Sequence, residues 1–517
     1  MSRSRRMLSV LMLTVACAAI GSAVAAAPGV AATGGRPASV ATVHANKTEP
    51  NNSHRHGKVR RAWPATTAHR PHTAIARWMA RQVGPKKPVV CSKRPKGARA
   101  SCVVTKGKAS IAAAAPVTMR SAVARAASLT PGTKLSTGKR ISSPSEPISL
   151  SQSNGPGVLE LIRSFDIPVG DPSYDRLLNW SWTYDSAVAA TSFTTLGLQD
   201  QAGRLLDQLA ALQNPDGSID YAFNVRTGES SPEIRAGTVA FMAVAFVDYD
   251  STFRDTRYEK NAMRAANYLI SLENGDGLVQ GGPDVTWVST QHNILSVLAL
   301  AGLAGELNND GDQADANTYA EAAKGISQGI DSNLLVNDGG SPAHFQEGEN
   351  DAVIPLDTQA LGVIYETFHG NSDLAQQIYD FAQKNFAIDG RSIQLSKKKS
   401  SYNMTYQSDG PFTGYKPYIG KRAPDVLWFE GTAEMRFATT IVGQPTDTLD
   451  ASMSAWWDIT RPQGLAPLGA DRTITNNRYD EYHVWPTAAA GAWAILSGAA
   501  KDTDWAEPTQ TILQLLR

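Results

Sequence analysis

Six short stretches of this chain collect aromatic, carboxylate and hydrogen-bonding side chains. "NWSWTYDSA" supplies Trp180, Trp182, Tyr184 and Asp185, and "SPEIRAGT" supplies Glu233 and Arg235. "TWVSTQHN" supplies Trp287, Gln291, His292 and Asn293, "IPLDTQA" supplies Asp357, and "DVLWFEGTAE" supplies Asp425, Trp428 and Glu430. The last, "RYDEYHVWP", supplies Arg478, Tyr479, Asp480, Glu481, Tyr482, His483 and Trp485. A sugar ring offers C–H faces to aromatic rings, which combine a large apolar body with a polar handle. Its hydroxyls bond carboxylates, amides and guanidinium groups. Cutting a glycosidic bond takes two carboxyl groups, one to protonate the leaving oxygen and one to activate water or attack. Asp185 and Glu430 stand at equivalent places behind aromatics and are the expected catalytic pair. Trp182, Tyr184, Arg235, Trp287, Gln291, His292, Asn293, Asp357, Trp428, Tyr482 and His483 are expected to bind substrate.

Plainer roles compete with these. A carboxylate at a helix start also caps it or offsets its dipole, which is the alternative for Asp185, Asp357 and, less readily, Glu430. Glu434 could pair in the neighbourhood of Arg436, His292 could be a satisfied core histidine, and Asp480 and Glu481 could be solvated loop charges. "ELNNDGDQADANTY" has a calcium-loop flavour but lacks the regular ligand spacing and the closing Glu. No metal and no cofactor is expected.

The elements that must position these residues are helices. Apolar segments rich in small residues begin near Asp185, Arg235, His292, Asp357, Glu430 and Trp485, at spacings of 50, 57, 65, 73 and 55 residues. Each precedes a more amphipathic segment, near 200–213, 256–272, 315–332, 373–386, 446–458 and 504–517. Repeats of this size signal a helical array. "AGTVAFMAVAFV" and "TAAAGAWAILSGA" are apolar nearly all round, as inner helices are, whereas "AGRLLDQLAAL" has the single stripe of an outer one. Short loops lead from inner to outer helix and long ones lead back, so the long loops gather at the inner-helix N-termini, where sites tend to lie. Six such pairs close into an all-α (α/α)6 barrel over residues 158–517. "VLELIRSF", 158–165, is expected to add a packing helix.

The net charge of +1 hides a division. Residues 28–145 hold 22 Lys and Arg against one acid, Glu49. Arg3, Arg5 and Arg6 precede them, which leaves 24 of the 49 bases and 47 of the 48 acids for residues 146–517, a net −23. The acidic body argues against nucleic acid as partner. The basic segment suits an anionic wall polymer or a membrane surface. "MSRSRR", an apolar run and Ala23-Val24-Ala25 read as a signal peptide, residues 1–27, of Sec or twin-arginine type, so a secreted protein is expected. Lipoprotein anchoring at Cys17 is the minor alternative. Residues 28–157 are too poor in large apolar side chains to bury much and are expected to form a mostly disordered arm and linker. Within that arm, Cys91 and Cys102 could staple a small hairpin in an exported chain. A monomer acting on carbohydrate is expected.

Tyr184-Asp185, "QNPDGS" at 213–218, "STQHN" at 289–293, "WFEGTA" at 428–433 and the closing "WPTAAAGAWAIL" together resemble a bacterial group of the six-hairpin glycosidase superfamily over roughly residues 175–500. The resemblance implies the barrel, export and action on a glycan, often with inversion. One position departs: Gln291 stands where the group's motif carries Glu, and a Gln cannot ionise. The leading expectation is therefore a secreted glycoside hydrolase. The alternatives are a polysaccharide lyase using Gln291, His292, Asn293, Tyr482 and Arg478, and a non-catalytic glycan-binding or wall protein. A terpene cyclase toroid fits poorly, with one Q-x-x-D-G-S turn and no D-x-D-D motif.

Overall fold

The computed structural model describes residues 71–86, 89–91, 102–104 and 158–498, the last with short breaks at 172, 338, 340–341, 350, 394–407, 421–422, 462–463, 465 and 475–480. The expected leader with Cys17, most of the expected arm, residues 475–480 and the expected terminal helix 504–517 lie outside the described residues. The principal helices are α1 (Pro71–Gln82), α2 (Thr183–Thr195), α3 (Gln199–Leu212), α4 (Ala236–Phe253), α5 (Glu259–Ser271) and α6 (Thr290–Asp310). They continue with α7 (Gln313–Asn333), α8 (Leu356–Phe368), α9 (Ser372–Phe386), α10 (Phe429–Ile441), α11 (Asp447–Ile459) and α12 (Ala488–Leu496).

The even-numbered helices from α2 to α12 form a closed inner ring. Each packs on the next, and α12 returns to α2. Their starts lie within three residues of the positions expected from hydropathy. The reason is burial on all sides: every residue of α12 is buried, and so is all of α4 from Ala236 to Asp250 except Val244. The outer helices α3, α5, α7 and α9 pack on α2, α4, α6 and α8 through one stripe, as with Ala202, Leu205, Leu206 and Leu209 of α3. The chain is thus an all-α array of paired helices in an (α/α)6 arrangement.

Backbone hydrogen bonds lock the ring at its N-terminal end. The first N–H of a helix has no partner within that helix. In five of the six inner helices it donates to the long loop of the following hairpin. Thr183 bonds Tyr221 O (3.0 Å), Thr290 bonds Glu347 O (2.9 Å), Leu356 bonds Pro417 O (2.8 Å) and Phe429 bonds Gly469 O (3.1 Å). Ala488 of α12 bonds Ser164 O (3.0 Å), in the segment that leads into α2, and so completes the circle. Small antiparallel sheets brace the same end, among them Trp180–Trp182 with Ala222–Asn224 and Val285–Val288 with Gln280–Gly282. The "QNPDGS" turn ties outer helices together instead. Gln213 donates to Asn261 O (3.0 Å) and accepts from Arg264 (2.9 Å). Gly217 there has φ +96°, and a Cβ on it would lie 2.0 Å from Arg264 O.

Three expectations are corrected. First, α1 comes from the segment expected to be arm, yet it packs on α12, on the outer side of the sixth inner helix. Its Ile75, Ala76, Trp78 and Met79 repeat at helical spacing and are buried in the main core. Gly491 of α12 allows the approach, since a Cβ there would meet Met79 Sδ at 3.1 Å. Trp78→Ala should therefore cost about 3–5 kcal/mol of stability in chemical denaturation. A loss under about 1 kcal/mol would show that α1 is not held in the core. Second, 158–165 is not a helix. Val158 and Glu160 are exposed while Leu159 and Leu161 are buried, a period of two that fits an extended strand. The segment bridges to Val83 through Ile162 and to Thr487 through Phe165. Third, α11 makes most of its contacts with the strand Ser408–Tyr415 rather than with α10, so the fifth hairpin is wedged by β-structure. Phe429 of α10 still reaches α11, stacking on Trp456 at 3.7 Å. In the small sheet Val89–Cys91/Cys102–Val104 the backbone register sets Cys91 opposite Cys102.

Asp248, near the end of α4, is fully buried, with Thr252 as a distant donor at 3.5 Å. Burial pushes its carboxyl up to about 8. The folded chain therefore keeps a proton that the unfolded chain releases near pH 4, and stability falls as pH rises from about 4 to about 8. Asp248→Asn removes this cost. The variant should gain on the order of 3 kcal/mol at pH 8 and nothing at pH 4, read from melting curves at both pH values. An equal change at both would refute the assignment.

Candidate active site

The inner-helix N-termini surround a pocket with about 380 Å³ of empty space, open solvent included, lined by Tyr184, Gly237, Thr238, Gln291, His292, Leu295, Asp357, Trp428, Glu430 and Glu434. These come from α2, α4, α6, α8 and α10, with Trp428 immediately ahead of α10. The sixth inner helix contributes from beneath: the Trp493 indole N–H of α12 donates to the Tyr184 hydroxyl at 2.8 Å.

"WFEGTAEM" has a local logic. Trp428 precedes α10 in extended backbone (φ −102°, ψ 114°). Its ring lies across the first turn, where a Cβ on Gly431 would come within 2.3 Å of it, so Gly431 makes that pose available. Thr432 Oγ1 donates to Trp428 O (2.7 Å) and accepts from Tyr415 N (3.1 Å). Phe429 points to the outer layer. Glu430 and Glu434, four apart, fall on one face of the helix and both line the cavity.

The Tyr184 hydroxyl spends its proton on Glu430 Oε1, at 3.4 Å, because Trp493 already donates to its oxygen. Burial, with the charge of Glu434 nearby, pushes the Tyr184 phenol well above its ordinary value, so it stays a neutral donor. Asp357 sits one helix away on the first turn of α8. Its Oδ1 accepts the Thr358 N–H at 2.8 Å and its Oδ2 the Gln291 amide at 3.1 Å. Burial outweighs these donors and pushes the carboxyl up to about 6. His292 is buried against Gly237, edge-on to Trp287 with ring centres 6.2 Å apart. Burial, with the Arg235 guanidinium adding to it, pushes its imidazole down to about 3, so it is neutral. No lysine or arginine is among the lining residues.

Of the thirteen residues expected at the site, Tyr184, Gln291, His292, Asp357, Trp428 and Glu430 line the cavity. Asp185 is buried on the first turn of α2 and is not among the lining residues. Trp182 packs edge-on against Phe165, and Trp287 stands behind His292. Arg235 pairs with Glu233 and donates to Ile234 O. Asn293 is a backbone clamp, accepting from Val279 N (2.7 Å) and donating to Val279 O and Ser289 O. Tyr482 bridges to Ile474, and His483 stacks on Trp485 (3.6 Å) while bonding Glu481. Sequence reasoning missed Glu434, although its spacing from Glu430 carried the signal. Arg436 is committed elsewhere, to Asp450 at 2.9 Å. Gly237, Thr238 and Leu295 carried no chemical signal. The calcium-like stretch forms the end of α6 and the start of α7, with Gly311 at φ +90° and Asp312 capping Asp315 N. Among the described residues no group of three His, Cys, Asp or Glu is placed to hold a metal ion.

The class this architecture defines is an (α/α)6 barrel with a pocket of carboxylates and one tryptophan at its N-terminal end. Solved structures similar to it include a glycosidase in complex with glucose, at 12% identity and TM-score 0.46, covering 68% of this chain and 94% of that one. A bacterial glucoamylase complexed with acarbose is similar at 14% identity and TM-score 0.43, covering 62% and 48%. A GH78-family rhamnosidase of a Bacillus species is similar at 13% identity and TM-score 0.41, covering 62% and 31%. The sequence matches no family model and no curated protein.

Proposed function

We propose that the chain is a glycoside hydrolase in which Asp357 is the general acid and Glu430 the general base, the reaction inverting the anomeric carbon. The observation that carries this reading is one pocket shared by two carboxyl groups from different helices, Asp357 of α8 and Glu430 of α10. Asp357, raised to about 6, holds a proton at mildly acidic pH. Glu430 receives a hydrogen bond from a phenol that cannot ionise there. In the step proposed, Asp357 gives its proton to the glycosidic oxygen as the C–O bond breaks. Water attacks the anomeric carbon from the opposite face and its proton passes to Glu430. Trp428 supplies the apolar wall for a sugar face. Asp185 is left with a structural part at the start of α2.

Incubation with a panel of glycans, scored for reducing ends and unsaturated products together, tests the class. Reducing ends without ultraviolet-absorbing product are expected, and proton NMR of the first product should show the inverted anomer. Binding without release would favour a non-catalytic glycan-binding protein. An unsaturated product would favour a lyase, but three carboxylates and no basic side chain line the cavity, which suits a neutral sugar rather than a uronate. The leader supports export, and the basic arm supports contact with an anionic wall or membrane. Both are part of the proposal, tested by fractionating cells that express the full chain.

A further inference from the structure

Gln291 is the one cavity residue that departs from the resembled motif, and the structure gives it a specific neighbour. Its amide nitrogen lies 3.1 Å from Asp357 Oδ2. The other carboxylate oxygen is taken by the Thr358 backbone N–H, whose direction is fixed by α8. We propose that Gln291 is the positioning residue of Asp357, holding its carboxyl group in one orientation through both protonation states of the catalytic cycle. This rests on the reading of Asp357 as the general acid.

The argument is chemical. During turnover Asp357 must be a carboxylic acid before proton transfer and a carboxylate after it. A primary amide carries a donor and an acceptor at the same end. It donates N–H to Oδ2 in both states, as a carboxylate oxygen or as the carbonyl oxygen of the acid, and leaves the acid's proton for the leaving oxygen. An ionised glutamate has no donor and would serve only the protonated state. Two carboxyls in contact would also share one proton, raising the upper apparent pKa of the pair. The amide avoids that conflict while α6 and α8 hold the two side chains together.

The other titratable groups around Asp357 do not replace it in this part. His292 of α6 is neutral, Tyr184 of α2 is a neutral phenol committed to Glu430, and Arg235, immediately ahead of α4, is paired with Glu233. Glu430 and Glu434 of α10, with Glu347 in the loop ahead of α8, are acids and carry no hydrogen-bond donor when ionised.

The test uses the full chain with Gln291→Leu and Gln291→Glu, after melting curves confirm folding. In Gln291→Leu, kcat should fall about tenfold or more with KM within about threefold, and the alkaline limb of the pH profile should rise by about half a pH unit to one, because a donor to the carboxylate is lost. Gln291→Glu should raise that limb further. Infrared difference titration of the carboxyl band missing in Asp357→Asn should move in the same order, and this readout needs no turnover. The proposal is overturned if band and limb stay in place in both variants, or if only KM rises, which would return Gln291 to sugar binding. A band that moves in a protein that hydrolyses no glycan would leave the positioning standing and sink the hydrolase reading instead.

Discussion

Glu430→Gln should leave the barrel folded and lower kcat by about 10³-fold or more, within the range attributed to a positioned acid or base. The substitution keeps the side chain's shape, and the Tyr184 hydroxyl can still donate to the amide oxygen, so melting temperature and sugar binding should change little. What is lost, on the proposed mechanism, is the group that takes the proton of the attacking water. Steady-state rates on the first substrate found, together with binding of the unhydrolysed sugar, check this. Turnover within about tenfold of the parent would remove Glu430 from the chemistry. Asp185→Asn is the comparison. Asp185 is not among the cavity's lining residues, so its loss should act on stability more than on kcat. If Asp185→Asn alone abolished turnover, the catalytic pair would revert to the one expected from sequence position.

Asp357→Asn should cost a similar factor on an alkyl or sugar leaving group, and far less on a glycoside whose leaving group is an acidic phenol. A general acid matters in proportion to how much the leaving oxygen needs a proton. Rates across a series of aryl glycosides test this, with a loss that grows as the phenol becomes less acidic. A loss independent of the leaving group would show that Asp357 binds substrate and does not protonate it. The parent's activity should also fall as pH rises through about 6, where Asp357 releases its proton, and that limb should be absent on the most acidic leaving groups.

Much of the fold was legible because burial leaves a mark on composition. A helix surrounded on all sides must be apolar and small-residue-rich throughout, so α4 and α12 stood out, and the outer helices showed their single stripe. The long loops pointed to the end of the ring where the pocket lies. The misreadings have physical causes. α1 is a twelve-residue helix in a basic, Pro- and Ala-rich stretch. Its buried stripe of Ile75, Ala76, Trp78 and Met79 was in the sequence, but regional composition outweighed it. At 158–165 the apolar residues suited either period, and only the partners at Val83 and Thr487 selected the extended form.

The sequence by itself determined the number of inner helices, where each begins, and which polar clusters stand at those starts. These follow from local periodicity, which each segment carries alone. The tertiary structure decided which members of those clusters share a cavity. Side-chain direction at a helix start depends on one residue of phase and on what packs behind it. Hence Tyr184 reaches the cavity and the adjacent Asp185 does not line it, while Glu434 joins Glu430 from one turn further along. It also decided the hydrogen-bond partners of Asp357 and Glu430, because these come from other helices: Gln291 reaches Asp357, and Tyr184, itself held by Trp493, reaches Glu430.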